Sequence, residues 1–224
     1  MKLITLALYS LWLIYSVSAA ASEPLCLPVS GNIEGLEIGE IKILNQDIFN
    51  PDKAEEGSAI HRFANKFHIQ TRQSVIQQQL LFEVGQPYQQ RLMEESERKL
   101  RSRKYLHDAS IKADMICDNK VVVIVKTSDN WTLTPGISVG RSGGVNRSSV
   151  EISESNLLGL GKIITLKSQS DEDRDSRFLH YEDDNLFGSR YQFALKTADN
   201  SDGYHDSVLI GKPFFELDSR QALL

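Results

Sequence analysis

Trp131-Thr132-Leu133-Thr134-Pro135-Gly136-Ile137-Ser138-Val139 decides how the second half of this chain is read. Every second residue is apolar, and those between are small or polar. Strand side chains point alternately to opposite faces, so as a strand this segment has one apolar and one polar face. Tyr191, Phe193 and Leu195 repeat the pattern, interleaved with Gln192, Ala194 and Lys196. Six stretches after Thr127 read as strands. Turn clusters separate them at Ser142-Gly143-Gly144, 156–161, 171–175, 183–188, 199–203 and Lys212-Pro213. Such a meander fits either a soluble sandwich or a barrel wall with lipid on one side and water on the other.

The N-terminus favours the barrel. Lys2 precedes an uncharged, mostly apolar run from Leu3 to Val17, and Ser18-Ala19-Ala20-Ala21 supplies the small residues of a cleavage site. Residues 1–21 are therefore expected to be a secretory signal peptide. A single anchor helix is the other reading, and it needs ~20 apolar residues. Glu23-Pro24-Leu25 lacks the small residues of a lipoprotein signal ahead of Cys26. No later segment is apolar over the length of a membrane helix, so membrane residence rests on a barrel or on attachment to other proteins. Without Lys2 the chain carries 24 basic and 30 acidic side chains, a net of −6. That charge argues against nucleic acid as a partner. An oxidising compartment permits a disulfide between Cys26 and Cys117, tying the N-terminal peptide to a later hairpin; two unpaired thiols are the alternative.

Residues 22–39 read as an extended leader. A strand is expected over 40–49, stopped by Asn50-Pro51-Asp52, then a short helix over 55–66. Thr71 reads as the N-cap of a second helix carrying Val75, Ile76, Leu80 and Leu81. A third helix spans 89–104 with Leu92, Met93, Leu100 and Tyr105 on its buried face. Strands at 107–115 and 120–127 flank a turn at Cys117-Asp118-Asn119. The expectation for 40–127 is a small α+β domain with helices on a three-stranded sheet, followed over 128–224 by the first strands of a barrel. Asp218 to Leu224 reads as the start of a further strand. Barrels usually need at least about eight strands, and an open sheet in lipid leaves backbone groups unpaired at several kcal/mol each. The chain is thus expected to be the N-terminal part of a longer protein, or a truncated copy.

Chemistry-bearing motifs are few. Arg91, Arg98, Lys99, Arg101, Arg103 and Lys104 form a basic run, read as a solvated helix face or as a contact for anionic lipid head groups. Gly159 and Gly161 beside Lys162 lack phosphate-loop spacing. Asp171, Glu172, Asp173 and Asp175 lack the spacing and glycine of a calcium loop. The five histidines show no paired metal spacing, and no nucleophile–base arrangement stands out. Neither an enzyme nor a cofactor is expected.

The order of segments resembles the BamA/TamA-type outer-membrane assembly and translocation proteins, the bacterial surface antigen superfamily. The strand–helix–helix–strand–strand order over 40–127 resembles a POTRA domain. Leu80-Leu81-Phe82-Glu83-Val84-Gly85-Gln86-Pro87-Tyr88 resembles its interhelical segment, and Glu95-Ser96-Glu97-Arg98-Lys99-Leu100-Arg101 with Tyr105-Leu106 its second helix and exit. Asp129-Asn130-Trp131-Thr132-Leu133 resembles the junction into the barrel, Asn156-Leu157-Leu158-Gly159-Leu160-Gly161-Lys162 the first periplasmic hairpin, and Pro213-Phe214-Phe215 a later strand start. Only one POTRA-like unit is visible, and the later barrel strands are absent.

The resemblance implies an outer-membrane location with the POTRA-like domain in the periplasm. It implies a role in inserting or translocating outer-membrane proteins, with unfolded clients, the lipid bilayer and assembly-complex proteins as partners. Clients would add as strands to a sheet edge, which in POTRA domains is the second strand: here His107, Ala109, Ile111 and Ala113. The alternation assigns Trp131, Leu133, Ile137, Val139, Tyr191, Phe193 and Leu195 to lipid, and Thr132, Thr134, Ser138, Gln192 and Lys196 to the interior. The alternative function is a passive surface or pore protein, or a nonfunctional truncated relative. The exported chain is expected to start between Ala20 and Ser22. Intact-mass measurement checks this, and a product retaining residues 1–19 contradicts it.

Overall fold

A computed structural model of the chain describes residues 26–47 and 68–223. The expected signal peptide and the helix expected over 55–66 lie outside those residues. The elements in chain order are β1 (Cys26–Pro28), β2 (Ile38–Gln46), α1 (Gln73–Gln77), α2 (Gln90–Arg101), β3 (Leu106–Cys117) and β4 (Lys120–Asp129). Six longer strands follow: β5 (Leu133–Ser142), β6 (Val145–Glu154), β7 (Ile163–Ser170), β8 (Asp175–Asp183), β9 (Gln192–Asn200) and β10 (Gly203–Gly211).

The first sheet has the order β1-β3-β4-β2. Its centre is the apolar run of β4, in which Val121, Val123 and Val125 are fully buried. β3 returns to β4 through Asp118 and Asn119, both at positive φ (50° and 63°), the backbone that a two-residue hairpin turn requires. β2 runs parallel to β4, which demands a long crossover. α2 covers the sheet with Met93 and Leu100. Between them, Ser96 accepts the Leu81 N–H on its hydroxyl at 2.9 Å, so this buried polar group is paired.

Several expectations are corrected. The sheet has four strands, not three, because the leader supplies β1 and packs Ile33 and Leu36 against the core. Of the two readings of the cysteines, the bridge holds: Cys26 lies opposite Cys117, and the two are joined by a disulfide. Thr71 does not cap a helix; Arg72 occupies that position, and α1 is only five residues long. Leu80 and Leu81 are buried from the loop beyond it. Thr71 is instead committed to the far end of β4, its N–H donating to Asp129 Oδ2 at 2.7 Å. Leu92 is half-buried, while Ser96 and Glu95 take the inner face of α2.

The second sheet is an antiparallel meander in the order β10-β9-β8-β7-β6-β5. Over the described residues 218–223 only an isolated bridge of Leu223 to Lys212 forms, and Pro213-Phe214-Phe215 also lies outside any strand. Pro213 has no N–H for a ladder. Phe215 turns back, and its ring lies between Lys99 and Arg190, the Arg190 guanidinium carbon 3.2 Å from its centroid.

Two turns of the meander dock on the first domain. They share a tetrapeptide pattern, Asn156-Leu157-Leu158-Gly159 and Asn185-Leu186-Phe187-Gly188. In each, the third residue is left-handed (Leu158 φ 56°, Phe187 φ 53°), a conformation that costs a bulky residue on the order of 1–3 kcal/mol. The first turn is held by Asn156, which is 1% exposed. Its Nδ2 donates to Thr71 Oγ1 at 2.9 Å, and its Oδ1 accepts the Gly161 N–H at 2.8 Å. The Arg72 N–H donates to the Gly159 carbonyl at 3.0 Å, and a Cβ at Gly159 would stand 2.4 Å from the Gln70 carbonyl oxygen. Beside it the buried Asp129 carboxylate accepts from Thr71 N–H, from Asn45 Nδ2 at 3.0 Å and from His68 Nε2 at 2.7 Å. In the second turn, Asn185 Oδ1 accepts from Gln79 Nε2 at 2.6 Å, and Arg190 donates to the carbonyls of Gln78 and Leu80.

Val123→Asp buries an unpaired charge and should cost on the order of 4 kcal/mol. Amide exchange on the full chain should then lose protection throughout β2, β3 and β4; wild-type protection contradicts the core placement. Asn156→Ala leaves the Thr71 hydroxyl and Gly161 N–H without partners, at about 2 kcal/mol. Faster exchange at Arg72 and Gly161, with β4 still protected, is the expected result.

Candidate functional site

Cross-strand partners share a face, so the register of the meander can be followed from strand to strand. Pro135 faces Ile152, which faces Leu166, which faces Leu179. Ile164 faces Tyr181, which faces Leu195, which faces Val208. Phe193 faces Ile210. Most of the larger apolar residues of the six strands therefore fall on one side, while Ile163, Phe178 and Leu209 lie on the other. Ile137 and Val139 are 80% and 82% exposed there. Phe193 and Leu195 are half-buried, the Phe193 ring packing 6.0 Å from Tyr181. Trp131 and Tyr191 lie one or two residues ahead of their strands, both partly exposed. Charged residues share this face: Glu154 and Asp183 end their strands, Asp206 lies in the row of Leu179, Leu166 and Ile152 by way of Thr197, and Arg177 in the row of Val150 and Ile137 by way of Ser168.

The opposite face is more polar, though Ile163, Phe178 and Leu209 lie on it. Thr134 and Ser138 lie on it, with Gln192. Lys196 is the cross-strand partner of His180, whose Nε2 is 3.6 Å from Glu182. Lys167 lies 4.0 Å from Glu151 on the same side. Thr132, expected inside the barrel, is instead buried at the junction, ahead of β5.

The second surface is the β3 edge. β1 covers only Met115, Ile116 and Cys117 of it. Over Leu106 to Asp114 no described strand pairs on that side. Ala109, Ile111 and Ala113 turn their side chains into the core, with Ala109 and Ile111 at 1% and 7% exposure; His107 is exposed. The side chains displayed around this edge are instead Asp108, Ser110, Lys112 and Asp114. The Ala109 N–H donates to Asp108 Oδ1, and the Ile111 N–H donates to Glu97 Oε2, both at 2.8 Å. Ladder hydrogen bonds to β4 would occupy these N–H groups, so their donation to side chains shows that they point toward the open side. The Ala109 N–H, and then Arg101, hold the Asp108 carboxyl below its usual range.

The basic run is largely engaged within the chain. Arg91 pairs with Glu95 and Asp218, Arg101 with Glu97 and Asp108, and Arg103 with Asp184. Burial, with Arg190 and Arg103 nearby, pulls Lys99 down to about 6. Arg98 and Lys104 are exposed, as a solvated face requires. The Glu97–Arg101 spacing on one helix was a legible signal of pairing; the role of Asp108 was not, because nothing local joins it to α2. Asp171 accepts the N–H groups of Asp173 and Arg174, making a closed turn of that acidic loop.

No family model matches the chain, and no curated protein sequence does. Among solved structures, CdiB from Acinetobacter baumannii matches with a TM-score of 0.43 at 14% identity, over 73% of this chain and 28% of that one. The structure of BamA from Haemophilus ducreyi lacking POTRA domains 1–3 matches with a TM-score of 0.53 at 14% identity, over 84% of this chain and 37% of that one. This chain therefore spans little more than a third of the BamA chain it matches. The likeness to the BamA structure is one of fold.

Proposed function

We propose that this is an outer-membrane protein of the BamA type, in which residues 26–130 act as a periplasmic POTRA-like domain and the meander is part of a barrel wall. Its role is to help insert or translocate outer-membrane proteins by binding extended client segments, without covalent chemistry. The observation that carries the location is the pair of apolar rows, Pro135–Ile152–Leu166–Leu179 and Ile164–Tyr181–Leu195–Val208, that together cross all six strands on one face. A charge on a lipid-facing strand costs about 2–4 kcal/mol at the bilayer midplane, and both Lys167 and Lys196 fall on the polar side. The support for client binding is the unpaired stretch of β3, whose backbone groups can accept another strand. Trp131, Leu133, Ile137, Val139, Tyr191, Phe193 and Leu195 are the proposed lipid contacts, with Trp131 and Tyr191 at the interface level where aromatic residues gather.

Single cysteines at Gln192 and Phe193 test the location, with Cys26 and Cys117 left in their disulfide and the protein in lipid vesicles. A water-soluble maleimide should label position 192, and position 193 should react only with a lipid-soluble reagent. Equal aqueous labelling of both contradicts a membrane strand and returns the soluble sandwich to the lead.

A further inference from the structure

The regular part of the β3 edge lies between two bulges, at Leu106/Asp108 and at Ala113/Met115. Within it the outward N–H groups of Ala109 and Ile111 are already occupied, by Asp108 and by Glu97. One guanidinium holds both acceptors. Arg101 Nε donates to Asp108 Oδ1 at 2.9 Å, and its Nη2 lies 3.0 Å from Glu97 Oε1. Two carboxylate oxygens thus stand where the carbonyl oxygens of an added strand would come.

We propose that Glu97, Arg101 and Asp108 form a latch that masks this edge, and that an extended strand of another protein binds by displacing the two carboxylates. The proposal rests on the reading of β3 as a client edge. The occupant is a strand because the same edge already carries one: β1 adds antiparallel at Met115–Cys117, beyond the latched N–H groups. An unprotected edge pairs with any strand, and inward or bridging charges are a common way to prevent it. The latch is also weak enough to yield. Arg101 and Asp108 are 48% and 62% exposed, so water and salt compete with their pairing. A client strand brings several ladder hydrogen bonds in register, whereas the latch makes two. Its geometry also states what a ligand must supply: main-chain carbonyls spaced as in a β-strand, opposite Ala109 and Ile111.

The test uses the full chain with its disulfide and a labelled peptide copying residues 203–211, the edge strand β10 with its apolar Val208-Leu209-Ile210 run, carrying a benzophenone to map its position. Glu97→Ala with Asp108→Ala should bind the peptide about tenfold tighter than wild type, with Arg101→Gln in between. Crosslinks should fall on residues 107–114. Wild-type affinity should rise as ionic strength goes from about 0.01 M to about 1 M, where screening shortens from ~30 to ~3 Å; the double variant should lack that rise. Amide exchange at Ala109 and Ile111 should quicken in the double variant while β4 stays protected, which also shows that it folds. Equal affinities, or unchanged exchange at those two amides, overturn the latch and leave the client edge standing. Crosslinks to 107–114 in neither protein overturn the client-edge reading and the latch with it.

Discussion

The backbone register of the meander is the constraint on which the rest depends. Side chains alternate strictly along a strand, so a slip of one residue between any two neighbours would carry a whole apolar set to the wrong face. Five consecutive strand pairings keep Ile137, Ile152, Leu166, Leu179, Leu195 and Val208 on one side. Tight turns at one end of the sheet and docked turns at the other fix that register. The two Asn-Leu-(Leu/Phe)-Gly turns accept a left-handed bulky residue because hydrogen bonds from the first domain hold the loop around it.

That docking gives the polar residues of the junction their partners. Asp129 and Asn156 are each 1% exposed, and a buried polar group is costly unless it is bonded. Thr71 meets both, its N–H serving Asp129 and its hydroxyl serving Asn156. Gly161 allows a second close approach beside that of Gly159: a Cβ there would stand 2.8 Å from the ring of Tyr105, whose burial raises its hydroxyl to about 12. The end of β4, the start of α1 and the first turn of the meander are therefore one bonded unit. The aim of the first strand of the meander is set by that unit.

The described sheets differ in how they treat their edges. β1, anchored through Cys26–Cys117, pairs one end of β3, bulges bracket the middle, and carboxylates from Glu97 and Asp108 occupy two of its N–H groups. Each device lowers the chance of unwanted strand pairing.

The sequence by itself determined the alternation within β5 and β9, the hairpin at Asp118-Asn119 and the buried run of β4. Each rests on alternation or turn chemistry between near neighbours, which the chain states locally. It also left the Cys26–Cys117 pairing open, since spacing alone does not join two cysteines. Tertiary structure decided the rest. β1 is three residues with no strand signal and exists only because β3 offers it an edge. Thr71 looks like a helix cap in sequence, yet its N–H is captured by Asp129, from the far end of another strand. Glu97 and Asp108 become edge guards because α2 packs beside β3, a contact between residues that no local pattern links. Short-range periodicity specifies elements and faces; long-range hydrogen bonds choose which polar residue serves which element, and those choices form only when the chain has folded.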